Sequence, residues 1–350
     1  MSQVVKIGNR FVGEGNPCLV SFEPSATYTN FDDAKKMIEI TSRSGADAIK
    51  FQTFLPNDSD RIMSDKSKTV NFTSSTGNKQ ELVYDALKRR ELSRNEWKEL
   101  ISITKKNNLL FITAPYFLET VDFLASLQID AFKVSKGDIN NVLLIDRMAK
   151  TNIPIILDAR EKLDDVERAI SICEENNNKN IIIMHCPSGY PSENSGVHLN
   201  AINYLQEQYQ YPIAFADHSP GGLMNYAAIA LNVRMLEKTI TENKLTEHVE
   251  HFMSLELSEL SEFVKNIHSI EEALGRADIL KSSRVEESAR RCIVAKRSIK
   301  SGEKITLEHL DFKRPGDEGI SCQEGFSILG KVSKQDIDKD EFLRWDMFKE

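Results

Sequence analysis

Apolar residues fall in eight short runs, and between the runs apolar and charged positions alternate at helical spacing. The runs are "CLVSF" (18–22), "AIKFQ" (48–52), "LLFIT" (109–113), "AFKV" (131–134), "IPIIL" (153–157), "IIIMH" (181–185), "PIAF" (212–215) and "MLEK" (235–238). Runs of this length and composition predict strands. The intervening segments predict amphipathic helices. "NFDDAKKMIEITSRSG" offers Asn30 as a cap and Gly45 as a stop. "SRNEWKELISITKKNN", "LDDVERAISICEENNN" and "SLELSELSEFVKNIHSIEEALG" follow the same pattern. Eight β-α alternations predict an α/β fold with a parallel sheet. Eight is also the number that closes a (β/α)8 TIM barrel, whose usual size is about 250 residues. An open doubly wound sheet is the competitor. It is weakened because no G-x-G-x-x-G follows the first strand and no G-x-x-x-x-G-K-[ST] occurs.

Two segments interrupt the alternation. Residues 55–90, beginning "LPNDSDRIMSDKSKTVNF", form a long polar insertion after the second strand. In a compact barrel such a stretch predicts a functional lid or a mobile segment. After Gly275 the pattern changes, and "RADILKSSRVEESARR" reads as a helix end and linker. A weak internal repeat follows: "IKSGEKI" (299–305) and "IDKDEFL" (337–343) share Ile, Glu and a final aliphatic, with Leu310 and Phe348 eleven residues after each Ile. The expected organisation is a barrel over 1–280, a linker over 281–289 and a small, mostly-β domain over 290–350. So small a module has barely enough core to stand alone and is expected to pack on something else.

Composition narrows the setting. The chain has 350 residues, 40% apolar and 28% charged, which supplies ample core. A net charge of −8 argues against a broad nucleic-acid surface. No stretch of 18 consecutive apolar residues suggests a membrane span, and "MSQVVKIGNR" lacks an apolar signal core. Five scattered cysteines, with no C-x-x-C, predict a reduced, cytoplasmic location.

Chemistry gathers where the runs end. The first leads to Glu23, and the second carries Lys50 and Gln52. The third ends at Thr113, and the fourth holds Lys133 with Lys136 and Asp138 beyond. The fifth leads to Asp158, and the sixth to His185 and "CPSGYP". The seventh leads to Asp217-His218, and the eighth carries Glu237, Lys238 and Thr239. In a parallel barrel these ends share one mouth, where active sites sit. The lysines suit a phosphate or carboxylate, and equally read as interior ion pairs with the neighbouring acids. The acids suit proton transfer or metal binding. In "FADHSPGG" (215–222), His218 reads either as a metal ligand or as a histidine capping a strand. His248 and His251 read as solvated loop residues, and Cys186 as an inert strand-end thiol.

These residues resemble a known family. "GADAIKFQTF", "KGDINN", "HCPSGYP", "ADHSPG", "LEKTIT" and "HFMSLE" stand in the order found in the sialic-acid synthases. "RRCIVAKRSIKSGEKITLEHLDFKRPGDEGIS" is similar to that family's antifreeze-like (SAF) domain. The resemblance implies condensation of phosphoenolpyruvate with an acylamino aldose, giving a 3-deoxy-2-keto sugar acid and phosphate. It places Glu23 near a metal and the reacting carbons, and an acid at Asp138. It places Lys50, Thr113, Lys133 and Tyr190 around phosphoenolpyruvate; Gln52, Lys136 and Ser188 join them as candidate substrate-binding residues. His218 matches one of two histidines holding a divalent metal, Mn2+ or Mg2+. Arg314 in "KRPG" matches an arginine reaching the acylamino sugar, and a domain-swapped homodimer is implied. The chain also departs from the family. Where an Asn-His-Asn-Gly run is usual it reads "PSATYTN", and the second metal histidine falls at Thr239. Lys136 and Ala216 replace serines, and Glu250-His251 stands before "SLE". A threonine hydroxyl is a weak ligand beside an imidazole. Two alternatives therefore stay open. One is an aldolase, lyase or different-sugar synthase on the same fold. The other is a catalytically silent paralogue that binds a sugar or a partner.

Overall fold

The computed structural model describes residues 3–160, 162–275 and 284–349, and the chain divides into two compact units, Met1–Gly275 and Arg276–Glu350. In the first, eight parallel strands close on themselves: β1 (Leu19–Glu23), β2 (Ala48–Gln52), β3 (Leu110–Ala114), β4 (Ala131–Val134), β5 (Ile155–Asp158), β6 (Ile181–His185), β7 (Ile213–Asp217) and β8 (Met235–Thr241). They pair in chain order, and β8 pairs with β1 to complete a TIM-type barrel. The predicted runs fall on these strands, with ends moved by up to three residues. Cys18, for example, donates its N–H to the Glu271 carboxylate at 2.6 Å instead of to a neighbouring strand.

Eight helices cover the barrel: α1 (Phe31–Arg43), α2 (Arg94–Lys106), α3 (Leu118–Ser126), α4 (Val142–Ala149), α5 (Leu163–Glu175), α6 (Asn200–Gln208), α7 (Leu223–Ala230) and α8 (Leu260–Leu274). Asn30 caps α1 as the sequence predicts, accepting the Asp33 N–H at 2.9 Å. Ser93 and Glu96 form a reciprocal capping box on α2. The helices bury Met37, Ile38, Trp97, Leu100 and Ile101 against the outward-facing strand residues, among them Phe22, Phe51 and Phe111.

Side chains alternate across each strand. The inward set, including Leu19, Ala48, Leu110, Ile112, Ile156, Ile182, Met184 and Ala214, forms a second core that fills the lumen. A hairpin of Val5–Ile7 and Arg10–Val12, not foreseen in the sequence, adds Val5, Ile7 and Val12 to that core. Its Gly8 has φ +55°, and a Cβ there would meet Leu110 and Asp130 at 2.5 and 2.6 Å. Only glycine fits.

The insertion after β2 is ordered, not a structureless loop. It contains a helix at Asp58–Ile62, a hairpin of Thr69–Ser74 with Gly77–Leu82, and a helix at Val83–Lys88. Phe72 and Ala86 from it pack with Ala26 and Val249.

Of the predicted linker, residues 281–283 lie outside the described residues, and Arg284–Ala289 is helical. In the second unit, Cys292–Ala295 pairs with Leu310–Lys313 around a core of Ile293, Ile299, Ile305, Ile328, Ile337, Leu343 and Phe348. The repeat is structural. Ile299 and Ile337, 38 residues apart, exchange backbone hydrogen bonds at 2.9 and 2.8 Å. The same offset relates Gly302→Ser333 (N–H to C=O, 2.8 Å) to Asp340→Ala295 (2.7 Å), and Ile305→Lys331 (2.8 Å) to Leu343→Ile293 (2.9 Å). The two halves are related by a local pseudo-dyad.

Candidate active site

Above the apolar lumen the inward positions turn polar. Register aligns Glu237 with Ser21 and Thr239 with Glu23. Lys50 on β2 and Lys133 on β4 point into the same space. The Lys50 ammonium donates to Glu23 and stands 3.9 Å from Glu237 Oε1, while Lys133 donates to Glu237. All four side chains are buried. Burial would raise the Glu23 carboxyl, but Lys50 and Lys133 overcome it and hold Glu23 well below the usual carboxylate range. At Glu237 burial prevails and the pKa is raised; among the described residues its Oε2 has no hydrogen-bond partner. Burial would lower Lys133, but the Glu237 charge raises it above the ordinary lysine value. The lumen thus presents two lysines, a carboxylate held well below its usual range, and a second carboxyl raised by burial.

A cavity of about 320 Å³ opens over this layer. Of the residues singled out in the sequence, Glu23, Lys50, Gln52, Lys133, Lys136, Asp158, Tyr190, His218 and Glu250 line it. Others do not. Thr113 lies on the outer face of β3, its hydroxyl bonded to that of Thr53 at 2.7 Å. His185 also faces the helices, with Nε2 2.8 Å from the Val197 carbonyl oxygen. Asp217 and Lys238 form a fully buried pair at 2.8 Å between the strands and the helix layer. The period of two separates these from the inward set, although each sits at a strand end. Asp138 is half-buried beside the cavity and accepts from Asn141 at 3.1 Å; burial raises its carboxyl. Ser188 is exposed, and Arg314 is exposed on the second unit.

The cavity also gathers Arg90, Tyr116 and Arg160, which the sequence reading passed over. Gln52 Oε1 accepts from Arg90 at 3.1 Å and from the Tyr116 hydroxyl at 3.0 Å. Arg90 follows the insertion's last helix, and its guanidinium lies 4.8 Å from the Phe54 ring centre. Arg160 stands two residues past Asp158, an inward position by alternation, and this spacing was its only signal. Its Nη2 donates to Asp158 Oδ2 at 3.1 Å and to Cys186 Sγ, and among the described residues its Nε has no partner. Glu250, also in the wall, accepts the Ala26 N–H at 2.8 Å, and burial followed by the Glu23 charge raises its pKa. His251 is buried, not solvated: its Nδ1 is 2.7 Å from the Thr241 hydroxyl. His248 is half-exposed and 2.8 Å from Glu81.

His218 is buried and stacked on Tyr190, ring centres 5.1 Å apart. Burial and then the Arg160 charge push its pKa well down, so the imidazole is neutral. Among the described residues its Nδ1 has no partner, and neither has the hydroxyl of Thr239. The pairing of Asp217 with Lys238 brings the next residues, His218 and Thr239, alongside each other. A first-row divalent metal here would have one strong donor, since Thr239 is a neutral hydroxyl and Glu23 is held by Lys50. Among the described residues no group of three or more His, Cys, Asp or Glu converges on a point. The residues present do not fit the two-histidine metal site that the resemblance implies.

Comparison with known proteins agrees with this architecture. The NeuB family profile matches residues 37–278, and the SAF domain profile matches 290–349. N,N'-diacetyllegionaminic acid synthase of Campylobacter jejuni is 34% identical over 318 residues, covering 89% of this chain and 94% of the relative. N-acetylneuraminate-9-phosphate synthase of Mus musculus is 28% identical, covering 95% and 93%. A crystal structure of N-acetylneuraminic acid (sialic acid) synthetase from Leptospira borgpetersenii, in complex with citrate, superposes with a TM-score of 0.72. It is 26% identical and covers 83% of this chain and 95% of that one. A TIM-type barrel with a charged inward layer, followed by a small β unit with an internal repeat, belongs together in one lineage: the chain is a member of the NeuB family, ending in a SAF domain.

Proposed function

We propose that this chain is a sugar-acid synthase that joins phosphoenolpyruvate to an open-chain acylamino aldose and releases phosphate. The observation that carries the reading is the buried Lys50–Glu23 and Lys133–Glu237 layer beneath a cavity whose wall adds Lys136, Arg90 and Arg160. Five cations over four acids, Glu23, Glu237, Asp158 and Glu250, suit a small, multiply charged anion. In the proposed reaction C3 of phosphoenolpyruvate attacks the aldehyde carbon. Positive charge developing at C2 is quenched by water, with the ionised Glu23 orienting it. The tetrahedral adduct breaks its C2–O bond to phosphate, and Lys50 and Lys133 stabilise the departing charge. Glu237, with its raised pKa and partnerless oxygen, takes up or returns a proton. Thr113, Ser188 and Asp138 stay outside this scheme.

The family resemblance extends the proposal to a cytoplasmic homodimer in which Arg314 of one chain serves the sugar bound by its partner. The test of the reaction is phosphate release from phosphoenolpyruvate with a panel of acylamino aldoses. Release that depends on one aldose supports the synthase. Turnover of another kind, such as aldol cleavage of a keto acid, moves the altered-reaction reading ahead. Sugar binding without turnover moves the silent paralogue ahead.

A further inference from the structure

We infer that this chain polarises the aldose carbonyl with the Arg160 guanidinium and holds no catalytic divalent metal at His218. The inference rests on the condensation proposed above and concerns the same cavity.

The donor set is the first argument. His218 supplies one imidazole nitrogen. The residue beside it across the β7–β8 pairing is Thr239, a neutral hydroxyl without a partner. The residue in register with Thr239 on β1 is Glu23, whose carboxylate receives the Lys50 ammonium. A divalent ion would give up its water for one strong ligand and a carboxylate already shared with a cation.

Charge is the second argument. Lys50, Lys133 and Arg160 share the cavity with His218, and their partners Glu23, Glu237 and Asp158 are already engaged by these cations, so those carboxylates are not free to neutralise a dication.

Arg160 is the third. Its side chain is about nine-tenths buried, at 10% exposure, and lines the cavity. Asp158 fixes it at two points, through Nη2 and through the backbone N–H, each at 3.1 Å. It also interacts with Tyr190, the ring that stacks on His218. Among the described residues the Nε–H has no partner. A planar cation anchored at one edge, with an unsatisfied donor in a reaction cavity, is suited to a developing alkoxide.

The step balances without a metal. The C3–C1 bond forms between phosphoenolpyruvate and the aldehyde carbon, and the carbonyl π pair moves onto oxygen. That oxygen, hydrogen-bonded to Arg160, takes the proton released when water gives its hydroxyl to C2. Phosphate leaves with the bridging oxygen and takes the proton of the C2 hydroxyl, which becomes the keto oxygen, and no oxidant or reductant is needed.

The metal part is tested on the unaltered full-length protein, stripped with chelator and titrated with Mn2+ while the free-ion EPR signal is followed. We expect no stoichiometric loss of signal at micromolar Mn2+. One equivalent bound at that level, and lost in His218→Ala, overturns the inference whether or not any aldose is turned over. The catalytic part uses the aldose found by phosphate release. Chelator should leave the rate unchanged. Arg160→Ala should lower kcat by about 100-fold or more, the scale of removing an oxyanion donor, with little change in KM for phosphoenolpyruvate. Added guanidinium should restore part of the loss, a rescue that a merely structural role would not show. A variant that raises KM and spares kcat returns Arg160 to anion binding and overturns its assigned role. If no aldose supports phosphate release, the condensation reading fails, while the Mn2+ result still stands or falls on its own.

Discussion

Lys133 and Glu237 are buried together, and the Glu237 carboxyl receives the Lys133 ammonium. Truncating Lys133 to alanine leaves Glu237 without its main partner. The expected loss is about 3–5 kcal/mol in unfolding free energy, with most of it recovered in the Lys133→Ala/Glu237→Gln double variant. If Lys133 also binds phosphoenolpyruvate, affinity should fall by about 1.5–3 kcal/mol, the scale of a hydrogen bond to a charged group. Denaturation curves and calorimetry separate the two roles; unchanged affinity would leave Lys133 as structure alone. His251 gives a pH signature. Burial, followed by the Arg89 charge, pushes its pKa down from 6.5 to about 4. The unfolded chain then binds more protons between these values. Stability should therefore be full above pH 6.5 and fall as pH drops towards 4, by on the order of 3 kcal/mol from this residue. Thermal unfolding of His251→Gln across that range should show a flatter acid slope; an identical slope would assign the acid sensitivity elsewhere.

Elements differ in how openly the sequence announces them. Strands buried on both faces read as uninterrupted apolar runs, and β2, β4 and β6 were found to the residue. The same continuity hides which face each residue takes. That is why Thr113, His185, Asp217 and Lys238 read as rim residues, whereas the register turns them towards the helices. The charged layer at Glu23, Lys50 and Lys133 was legible because an ion inside an apolar run has few places to go. Arg160 and Arg90 were not, since each lies in a polar loop among other charges and only the fold aims it inward. The N-terminal hairpin was missed for a related reason: strands of three residues carry no period. Its turn allows a direct check. Gly8→Ala should cost about 2–4 kcal/mol, combining left-handed strain with overpacking against Leu110 and Asp130. Gly302, also left-handed at φ +84°, has no atom within 4 Å of an added Cβ. Gly302→Ala should cost only the strain, about 1 kcal/mol, and equal costs in denaturant melts would contradict this account.

For the whole molecule, the question is what the second unit serves. The proposal of a homodimer predicts twice the chain's 39.7 kDa by light scattering. A monomer retaining full turnover would remove the role given to Arg314.

The pseudo-dyad of that unit has a consequence for its assembly. Its backbone bonds run from each half to the other at three matched positions, so neither half alone satisfies all of its peptide groups. The unit is in effect a dimer fused into one chain. Cutting the connection between the halves should yield two fragments that fold only on mixing. A chain carrying one half twice should close by the same exchange of bonds, provided the apolar positions at 299, 305 and 310 can also fill the places of 337, 343 and 348.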